Sequence, residues 1–298
     1  MRLRRCLLAL PALLALAMPA AAEGLKIATW NLNWLTLRPA GDRALPANVA
    51  PKSPEGLAML RRYAASLDAD VVALQEVDGT EVAAKLFPPE RYSIHITGDF
   101  VVQRTGFAVR RGIAYRAHPD LTDLLGPAGR LRSGADISLD LPAGELRILN
   151  VHLKSGCRQD RLTSTLNSTC ETLRGQLAPL QGWIAARRDA GVAFLLTGDF
   201  NRWMDGGDAF WAGLERTAPL LRATAGKSSP CWGGGGFLDH IIAGGPARFW
   251  LDADSLRVLV YRETRPEWKE ILSDHCPVSA RLLLPKAGVA GAVTAPIR

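Results

Sequence analysis

The sequence lacks several features that would assign it to a special class of protein. Beyond residue 22 it has no apolar run long enough to cross a membrane, no dense run of Lys and Arg, and no internal repeat. The first absence excludes a membrane-spanning helix from that part of the chain. The formal charge of +7 is a weak excess for 298 residues, so it permits an anionic partner without strongly favouring one.

Residues 1–22 have the three parts of a signal peptide. The positive start Met1 to Arg5 is followed by the apolar run Cys6 to Met18 and by the small residues Ala20 to Ala22. This order predicts cleavage before Glu23. We therefore expect a periplasmic or secreted protein without a stable membrane anchor.

The rest of the chain is long enough for one large α/β domain. We expect this domain to span residues 23–286, and we expect the small, apolar residues 287–298 to form a disordered tail. Two smaller domains are the alternative, but no interior linker is long enough to separate them. We expect the protein to be a monomer.

Only four cysteines lie beyond the predicted signal peptide. An even number of cysteines in an exported chain predicts two disulfides. Cys157 with Cys170 is the local pairing, which leaves Cys231 with Cys276. A zinc site is the alternative, but no Cys-x-x-Cys spacing supports it.

Apolar runs of strand length alternate with helical patterns along the chain. Ser53 and Pro54 have the pattern of a helix start, and apolar residues follow at helical spacing up to Leu67. A second helical pattern, residues 170–188, contains Pro179, so we expect a kink or a break at that proline. The alternation of strands and helices is typical of an α/β fold.

Polar side chains with catalytic potential follow six of the apolar runs. Asp199 and Asn201 come after Phe194 to Leu196, and alternation along an extended chain directs both to one side. The same placement is found for Asn31, Glu76, His152, Asp239, Asp274 and His275. Singly, each has an ordinary explanation as a turn or cap residue. Because strand ends meet at one edge of an α/β sheet, the whole set predicts a site.

The residue types in this set indicate a metal-assisted phosphoester hydrolase. Carboxylate and amide oxygens favour Mg²⁺, Mn²⁺ or Ca²⁺ over zinc. His152 and His275 are candidates for an acid, a base or a donor to phosphate. Asp239 is a candidate to orient an imidazole, and Arg132 is a candidate phosphate contact. Such a set would supply the cation, the water activator and the charge-stabilising donors of the reaction.

Six short motifs carry a resemblance to a known family. In chain order they are Trp30-Asn31, Leu74-Gln75-Glu76-Val77, Val151-His152-Leu153, Gly198-Asp199-Phe200-Asn201, Leu238-Asp239-His240-Ile241 and Ser273-Asp274-His275. This series resembles the endonuclease/exonuclease/phosphatase superfamily, the group of deoxyribonuclease I, over about residues 25–284. The resemblance implies a four-layer α/β sandwich, with two mixed β-sheets packed face to face and helices outside.

The resemblance also implies which residues bind the metal and the phosphate. Glu76 would bind the divalent cation, assisted by Asn31 and Asp274, and His152 would contact the scissile phosphate. One departure concerns Gln103, which falls where deoxyribonuclease I has a glutamate that supports its first histidine. We therefore expect His152 to be less basic than its counterpart.

The remaining matched residues are expected to handle water and protons. By the resemblance, Asn201 would hold water and phosphate, and Asp199 would position or activate the attacking water. His275 would stabilise charge or donate a proton, and Asp239 would fix its tautomer. Asp199 and His275 share the role of general base in this interpretation.

Three functions are compatible with these residues. A nuclease with a nucleic acid substrate and Mg²⁺ is the leading interpretation. A sphingomyelinase-like enzyme, or another phosphodiesterase or phosphatase acting on lipids or small molecules, is the second. A phosphate-binding module without catalysis is the third, and it is disfavoured because every motif position is filled. A basic groove near the site would favour the nuclease, and an exposed apolar lip would favour the lipid enzyme.

Overall fold

Two six-stranded β-sheets are formed by the residues that the computed structural model describes, which are 24–126 and 128–285. The first sheet contains β1 (Gly24–Leu35), β2 (Val71–Val77), β3 (Tyr92–Ile96), β4 (Arg104–Arg110), β11 (Leu251–Val258) and β12 (Val278–Leu283). The second contains β5 (Tyr115–Ala117), β6 (Ala135–Leu141), β7 (Gly144–His152), β8 (Ala193–Asp199), β9 (Leu220–Arg222) and β10 (Asp239–Gly244). Their orders are β11-β12-β1-β2-β4-β3 and β5-β6-β7-β8-β10-β9.

Each sheet has one parallel pair at its centre and antiparallel strands outside it. The pairs are β1 with β2 and β7 with β8. Because β10 runs antiparallel to β8, it begins where β8 ends, with Asp239 opposite Asp199. The strand β12 is antiparallel to β1, so the loop before it reaches the same edge of the first sheet. Residues distant in sequence therefore converge at one end of the sandwich.

Six α-helices among the described residues flank the sheets. They are α1 (Pro54–Leu67), α2 (Thr80–Leu86), α3 (Ser168–Gly175), α4 (Leu177–Asp189), α5 (Ala209–Glu215) and α6 (Trp268–Ile271). The predicted start of α1 is confirmed, since the Ser53 side chain accepts a hydrogen bond from the Gly56 amide. None of these helices has the length and apolarity that a membrane span requires.

The expected break at Pro179 was misplaced. The helical stretch divides at Gln176, and Pro179 lies in the first turn of α4. Proline fits this position because a first-turn residue has no intrahelical acceptor for its amide, so nothing is lost there. The helix therefore continues through the proline.

Alternating side chains on the central strands bury both of their faces. Ile27 and Ala73 point into the core between the two sheets, whereas Ala28 and Val72 pack on the opposite face against α1. Three apolar layers result, one between the sheets and one under each set of helices. This explains why the sequence shows continuous apolar runs rather than alternation. The expected α/β sandwich of two packed mixed sheets flanked by helices is confirmed.

One buried polar group joins the two sheets beneath the end where the strands converge. Asn150 on β7 donates its amide hydrogens to the Leu74 carbonyl at 2.8 Å and the Gly106 carbonyl at 2.7 Å in the first sheet. Its amide oxygen accepts from Gln75 at 2.6 Å. These directional bonds fix the position of one sheet relative to the other, which apolar packing alone specifies less strictly.

The predicted disulfides are both present, Cys157–Cys170 and Cys231–Cys276. They agree with folding in an oxidising compartment. The predicted signal peptide, residues 1–22, and the predicted tail, residues 287–298, lie outside the described residues.

Candidate active site

Asp199, the last residue of β8, lies at the centre of the convergent polar group. Its carboxylate is buried and accepts hydrogen bonds from the side-chain amides of Asn31 at 3.0 Å and Asn201 at 3.1 Å. The Asn201 backbone amide donates at 2.7 Å. The Nε2 atoms of His152 and His275 lie 3.6 Å and 3.7 Å from the same carboxylate. Four predicted site residues therefore surround Asp199: Asn31, Asn201, His152 and His275.

The tight approach of β7 to β8 requires glycine directly before Asp199. A Cβ atom on Gly198 would lie 2.0 Å from the Val151 carbonyl oxygen, and its φ is +130°. Both conditions exclude other residues. The glycine therefore lets β7 and β8 bring His152 and Asp199 into register.

Glu76 is directed into the site by an irregularity in β2. The pairing of β2 with both neighbours shifts register around this residue, and its φ is 60°. Its carboxylate accepts from the Trp34 backbone amide at 3.0 Å and from Asn31 at 3.1 Å, and it lies 3.6 Å from His152. A non-glycine residue in the left-handed region is costly and is often found at functional sites.

Asp239 and His275 form a hydrogen-bonded pair on the other side of Asp199. The Nδ1–H of His275 donates to Asp239 at 2.7 Å, which leaves Nε2 facing Asp199. The Ser273 hydroxyl accepts from the His275 backbone amide at 3.0 Å and donates to the Asn31 carbonyl at 2.7 Å. The Ser273 hydroxyl thus ties the loop before β12 to β1.

Burial and neighbouring charges set the protonation of this group. Burial alone would lower the pKa of His275, but the charges of Asp239 and Asp199 outweigh it and hold that pKa well above its ordinary value. Burial raises the pKa of Asp199 to about 7, with the charge of His275 opposing the shift. A carboxylate that titrates near neutral pH is suited to accept a proton, and a charged imidazole is suited to donate one.

His152 is fully buried and neutral. Burial, together with the nearby charge of Arg132, lowers the pKa of His152 well below its ordinary value. Among the described residues its Nδ1 atom has no hydrogen-bond partner. Burial, rather than its distance of 3.6 Å from the carboxylates of Glu76 and Asp199, therefore dominates the pKa of His152.

Arg132 lies beside this histidine, as a phosphate contact would require. Its guanidinium is buried and donates to the Leu153 carbonyl at 3.0 Å, the same oxygen that accepts from Asn201 at 3.1 Å. Its Nε atom has no partner within the described part of the chain. A buried guanidinium with a free N–H is ready to bind an anion.

Asp274 differs from the other predicted residues because its side chain is exposed. It lies at the rim of a cavity that Asp239 and His275 also line. Lys52, which the sequence analysis did not identify, is buried nearby and donates to the Glu270 carbonyl at 2.6 Å. Burial lowers the pKa of Lys52 to about 8, against the charges of Glu270, Asp274 and Glu76. Lys52 lies in a loop without any motif, so no pattern could have indicated it.

The fold and the site together define the class of the protein. Two packed mixed sheets with a histidine, aspartate and asparagine site at one end are the architecture of deoxyribonuclease I-like enzymes, which hydrolyse phosphoesters. The chain belongs to the Endonuclease/Exonuclease/phosphatase family, whose model matches residues 28–275. The resemblance inferred from the motifs is thereby confirmed.

Solved structures agree in fold at low sequence identity. Truncated Caenorhabditis elegans TDP2 superposes with a TM-score of 0.60 at 15% identity, covering 87% of this chain and 98% of that one. The 3'-5' exonuclease NExo from Neisseria meningitidis gives 0.57 at 16% identity, covering 86% and 99%. The human Nocturnin catalytic domain gives 0.55 at 16% identity, covering 87% and 93%. No curated protein sequence matches the chain significantly.

The donor set fits the divalent cation that this family uses. Glu76 offers carboxylate oxygens, and Asp239 has one buried oxygen without a partner among the described residues. Asp199, Asp239 and His275 also offer ligand atoms within 4.8 Å of one another. Asn31 directs its NH₂ group, rather than its oxygen, toward Glu76 and Asp199. Oxygen donors of this kind suit Mg²⁺ or Mn²⁺.

Proposed function

We propose that this protein is an exported, divalent-metal-dependent phosphodiesterase that hydrolyses nucleic acid. The observation that carries the proposal is the environment of Asp199. Hydrogen-bond donors orient a buried carboxylate with a pKa near 7, and a charged His275 faces it at 3.7 Å. Phosphodiester hydrolysis needs a group that takes a proton from water and another that stabilises the charge that develops.

In this proposal Asp199 accepts a proton from the attacking water. The amides of Asn31 and Asn201 hold its carboxylate in one orientation, so the acceptor oxygen is fixed before the substrate binds. The protonated His275 faces the phosphate and donates to it or to the leaving oxygen. Asp239 keeps the proton on Nδ1, so Nε2 is presented in one defined state.

His152 and Arg132 would bind the phosphate from the opposite side. The guanidinium offers its unpartnered Nε–H, and the neutral imidazole offers a donor at Nε2. Asn201 links this side to Asp199 through the shared Leu153 carbonyl. The phosphate would therefore lie between Arg132 and His275, over Asp199.

We assign the cation, Mg²⁺ or Mn²⁺, to Glu76 and Asp274, with Asn31 positioning the Glu76 carboxylate. When bound, such an ion withdraws charge from the phosphoryl oxygens. The cluster of Asp199, Asp239 and His275 is the alternative position. It is less suitable, because the raised pKa of His275 keeps a proton on the ring that metal binding would have to displace.

Two related structures support nucleic acid as the substrate. NExo from Neisseria was solved with a product DNA hairpin, and Danio rerio TDP2 with a single-strand DNA product. Arg158 and Lys269 line the cavity next to His275, so this side of the site offers positive charge to a phosphate backbone.

One observation favours a lipid phosphodiesterase as the second candidate. Phe100 and Leu166 are fully exposed, at 106% and 98% of their reference area. Phe100 follows Asp99, which accepts from Ser133 beside Arg132, and Leu166 precedes Asn167, which donates to the Gly156 carbonyl in the loop after β7. Exposed apolar side chains of this kind can enter a lipid surface.

The substrate and the metal are tested in one assay. Plasmid DNA, RNA, sphingomyelin vesicles and bis(p-nitrophenyl) phosphate are incubated with the protein in Mg²⁺ or in EDTA. We expect Mg²⁺-dependent cleavage of nucleic acid, lost on chelation and reduced at least 100-fold in Asp199→Asn. Activity that survives EDTA would refute the proposed metal dependence. Cleavage of sphingomyelin alone would establish the lipid phosphodiesterase.

A further inference from the structure

A small polar pocket lies on the first sheet, at the end of β1 away from the candidate active site. Its volume is about 220 Å³, and it is lined by Lys26 of β1, Ser255 and Arg257 of β11, and residues 279–281 of β12. Asn31 lies about 17 Å further along the extended β1. A complete small-molecule site usually has about 300–1,000 Å³, so this pocket is suited to a small ion.

Three cations converge on this pocket. Lys26 and Arg281 are directly opposite each other in the antiparallel pairing of β1 with β12, so both side chains lie on one face of the sheet. Arg257 is opposite Ser279, a buried residue that lies on the same face of β12 and also lines the pocket. Like charges at directly opposed positions are destabilising. A negative charge in the pocket would relieve this repulsion.

A bulge in β11 brings the third cation to the pocket. Asp252 is opposite Arg281 on β12. Regular pairing would then place Asp254 opposite Ser279, but Arg257 takes that position because the intervening residues of β11 loop out. β-bulges commonly redirect side chains toward functional sites. Here the bulge replaces a carboxylate with a guanidinium beside the pocket.

Backbone carbonyl groups orient the three cations without neutralising them. The Lys26 ammonium donates to the carbonyl of the last residue of α1, and the Arg281 guanidinium donates to the Gly24 carbonyl at 3.3 Å. The Arg257 guanidinium donates to two carbonyls of its own bulge, at 2.9 Å and 2.7 Å. Within the described part of the chain, none of the three cations forms a salt bridge. Their remaining N–H groups are therefore available to an anion.

The nearest carboxylates to the Lys26 side chain are already paired elsewhere. Asp68 and Asp70 accept from the Arg110 guanidinium at 2.7 Å and 2.9 Å. Burial and the charge of Arg281 lower the pKa of Lys26, although Asp68 and Asp70 act in the opposite direction. The uncompensated charge of Arg281 therefore acts directly on the Lys26 ammonium.

We propose that this pocket binds a tetrahedral oxyanion, namely a phosphate group, between Lys26, Arg257 and Arg281. The three side chains supply charged N–H donors, and the Ser279 hydroxyl can add one hydrogen bond. Free phosphate and the backbone phosphate of a polynucleotide share this chemistry. The proposal does not rest on the hydrolytic activity, because the pocket shares no residue with the candidate active site.

Protection of Lys26 from acetylation gives a local readout. The protein is treated with acetic anhydride in chloride, acetate or phosphate at equal ionic strength, and peptide mass spectrometry measures the labelling of each lysine. We expect phosphate to slow the labelling of Lys26 about fivefold relative to chloride, as its occupancy of the pocket rises. Lys85, which is exposed on α2, should be unaffected. A further sample contains a single-stranded oligonucleotide with EDTA, which prevents metal-dependent cleavage.

Arg281→Gln and Arg62→Gln form a matched pair, because each removes one positive charge and Arg62 is exposed on α1. In chloride, Arg281→Gln should be at least as stable as the wild type, since its repulsion of Lys26 is relieved. Phosphate should raise the Tm of the wild type and of Arg62→Gln by about 3 °C more than that of Arg281→Gln. Phosphate bound at the candidate active site cannot cause this difference, because all three proteins retain that site.

Protection of Lys26 by phosphate or by the oligonucleotide would support the pocket and identify the source of its ligand. Protection by neither, or equal protection by acetate and phosphate, would overturn it. A Tm gain from phosphate that is unchanged in Arg281→Gln would also overturn it. Each of these failures leaves the proposed function standing, because Mg²⁺-dependent cleavage is measured separately.

Discussion

At the scale of single residues, the Asp239–His275 contact determines how the site responds to pH. The negative charge of Asp239 is a main reason that the pKa of His275 is raised. In Asp239→Asn this charge is lost, so the pKa of His275 should fall. We expect kcat to drop about 10²–10⁴-fold, as for the loss of a general acid. We also expect the alkaline limb of the pH–rate profile to move to lower pH.

The measurement is kcat and kcat/KM between pH 5 and 10 at saturating Mg²⁺. Asp254→Asn, at an exposed position on β11, is the control and should leave the profile unchanged. A profile that keeps its alkaline limb in Asp239→Asn would show that His275 is not the group responsible for it.

His240 has a different role, because it is buried in the core next to Asp239. Its Nε2–H donates to the Arg202 carbonyl at 3.1 Å, and its Nδ1 accepts from Thr224 at 2.6 Å. Burial lowers the pKa of His240 to about 3, below the ordinary value of 6.5. Below pH 6.5 the unfolded chain therefore gains a proton that the folded chain does not.

We therefore predict that His240 causes part of the acid sensitivity of the fold. Its contribution to stability is complete above pH 6.5 and should fall by about 1.4 kcal/mol per pH unit between pH 6.5 and 3. Urea unfolding of wild type and His240→Gln at pH 7.5, 5.5 and 4.5 measures this. The variant should show a shallower loss of stability on acidification, and equal slopes would contradict the assignment.

The sequence predicted which residues meet in the site but not how they are oriented. Asn31, Glu76, His152, Asp199 and His275 follow apolar runs, and the polar residue at a strand end is a local signal. The positive φ of Glu76 and the direction of the Asn31 amide come from bulges and contacts between strands. Bulges and contacts between strands depend on the whole sheet, so no local sequence pattern could reveal the φ of Glu76 or the direction of the Asn31 amide.

At the scale of elements, the contact between the two sheets depends on Asn150. Removing its amide in Asn150→Ala leaves the carbonyls of Leu74 and Gly106, and the amide of Gln75, without this partner inside the protein. We expect a loss of about 3 kcal/mol in the free energy of unfolding. Each buried unsatisfied group costs about 1–3 kcal/mol, and part of the total is recovered when neighbouring groups rearrange.

Chemical denaturation with circular dichroism measures this loss, and Asn48→Ala is the control. Asn48 is exposed, so its substitution should change stability by less than about 0.5 kcal/mol. A variant Asn150→Ala as stable as Asn48→Ala would show that apolar packing alone sets the relation between the sheets.

The element boundaries show where local patterns are sufficient. The start of α1 was predictable because Ser53 and Pro54 are local capping signals. The short helix α2 was missed because seven residues give too little periodicity. Asp239 was expected after a strand and instead begins one, since only the antiparallel pairing of β10 with β8 decides this.

At the scale of the whole molecule, one disulfide joins the two halves of the sandwich. Cys231 precedes β10 of the second sheet, and Cys276 precedes β12 of the first and directly follows His275. The other disulfide, Cys157–Cys170, stays within the segment between β7 and β8. The two bonds should therefore differ in their effect on the site.

We predict that replacing Cys231 and Cys276 with serine lowers both stability and activity. In the chain-entropy model, the loss of stability is about 4 kcal/mol for this pair and about 3 kcal/mol for Cys157 with Cys170. Activity at a temperature where both variants remain folded should fall more in the first, because the His275 loop loses its tie. Thermal unfolding and Mg²⁺-dependent hydrolysis provide the two readouts. Equal activities would contradict the prediction.

The fold class was predictable from the sequence because strand-length apolar runs, helical patterns and ordered motifs agree with one architecture. The docking of the sheets was not, because it depends on Asn150 and on side chains whose partners lie far away in the chain. The same limit applies to the buried Lys52.

The central position of β1 has a consequence for synthesis of the protein. The strand β1 lies between β2 and β12, so the first described strand to leave the ribosome pairs with the last. Until β12 emerges, one edge of β1 remains open to other chains. The loop that carries His275 directly precedes β12. A nascent chain therefore contains Glu76 and Asp199 before the active site is complete. The pairing of β12 with β1 therefore completes the active site and covers the open edge of β1 at the same time.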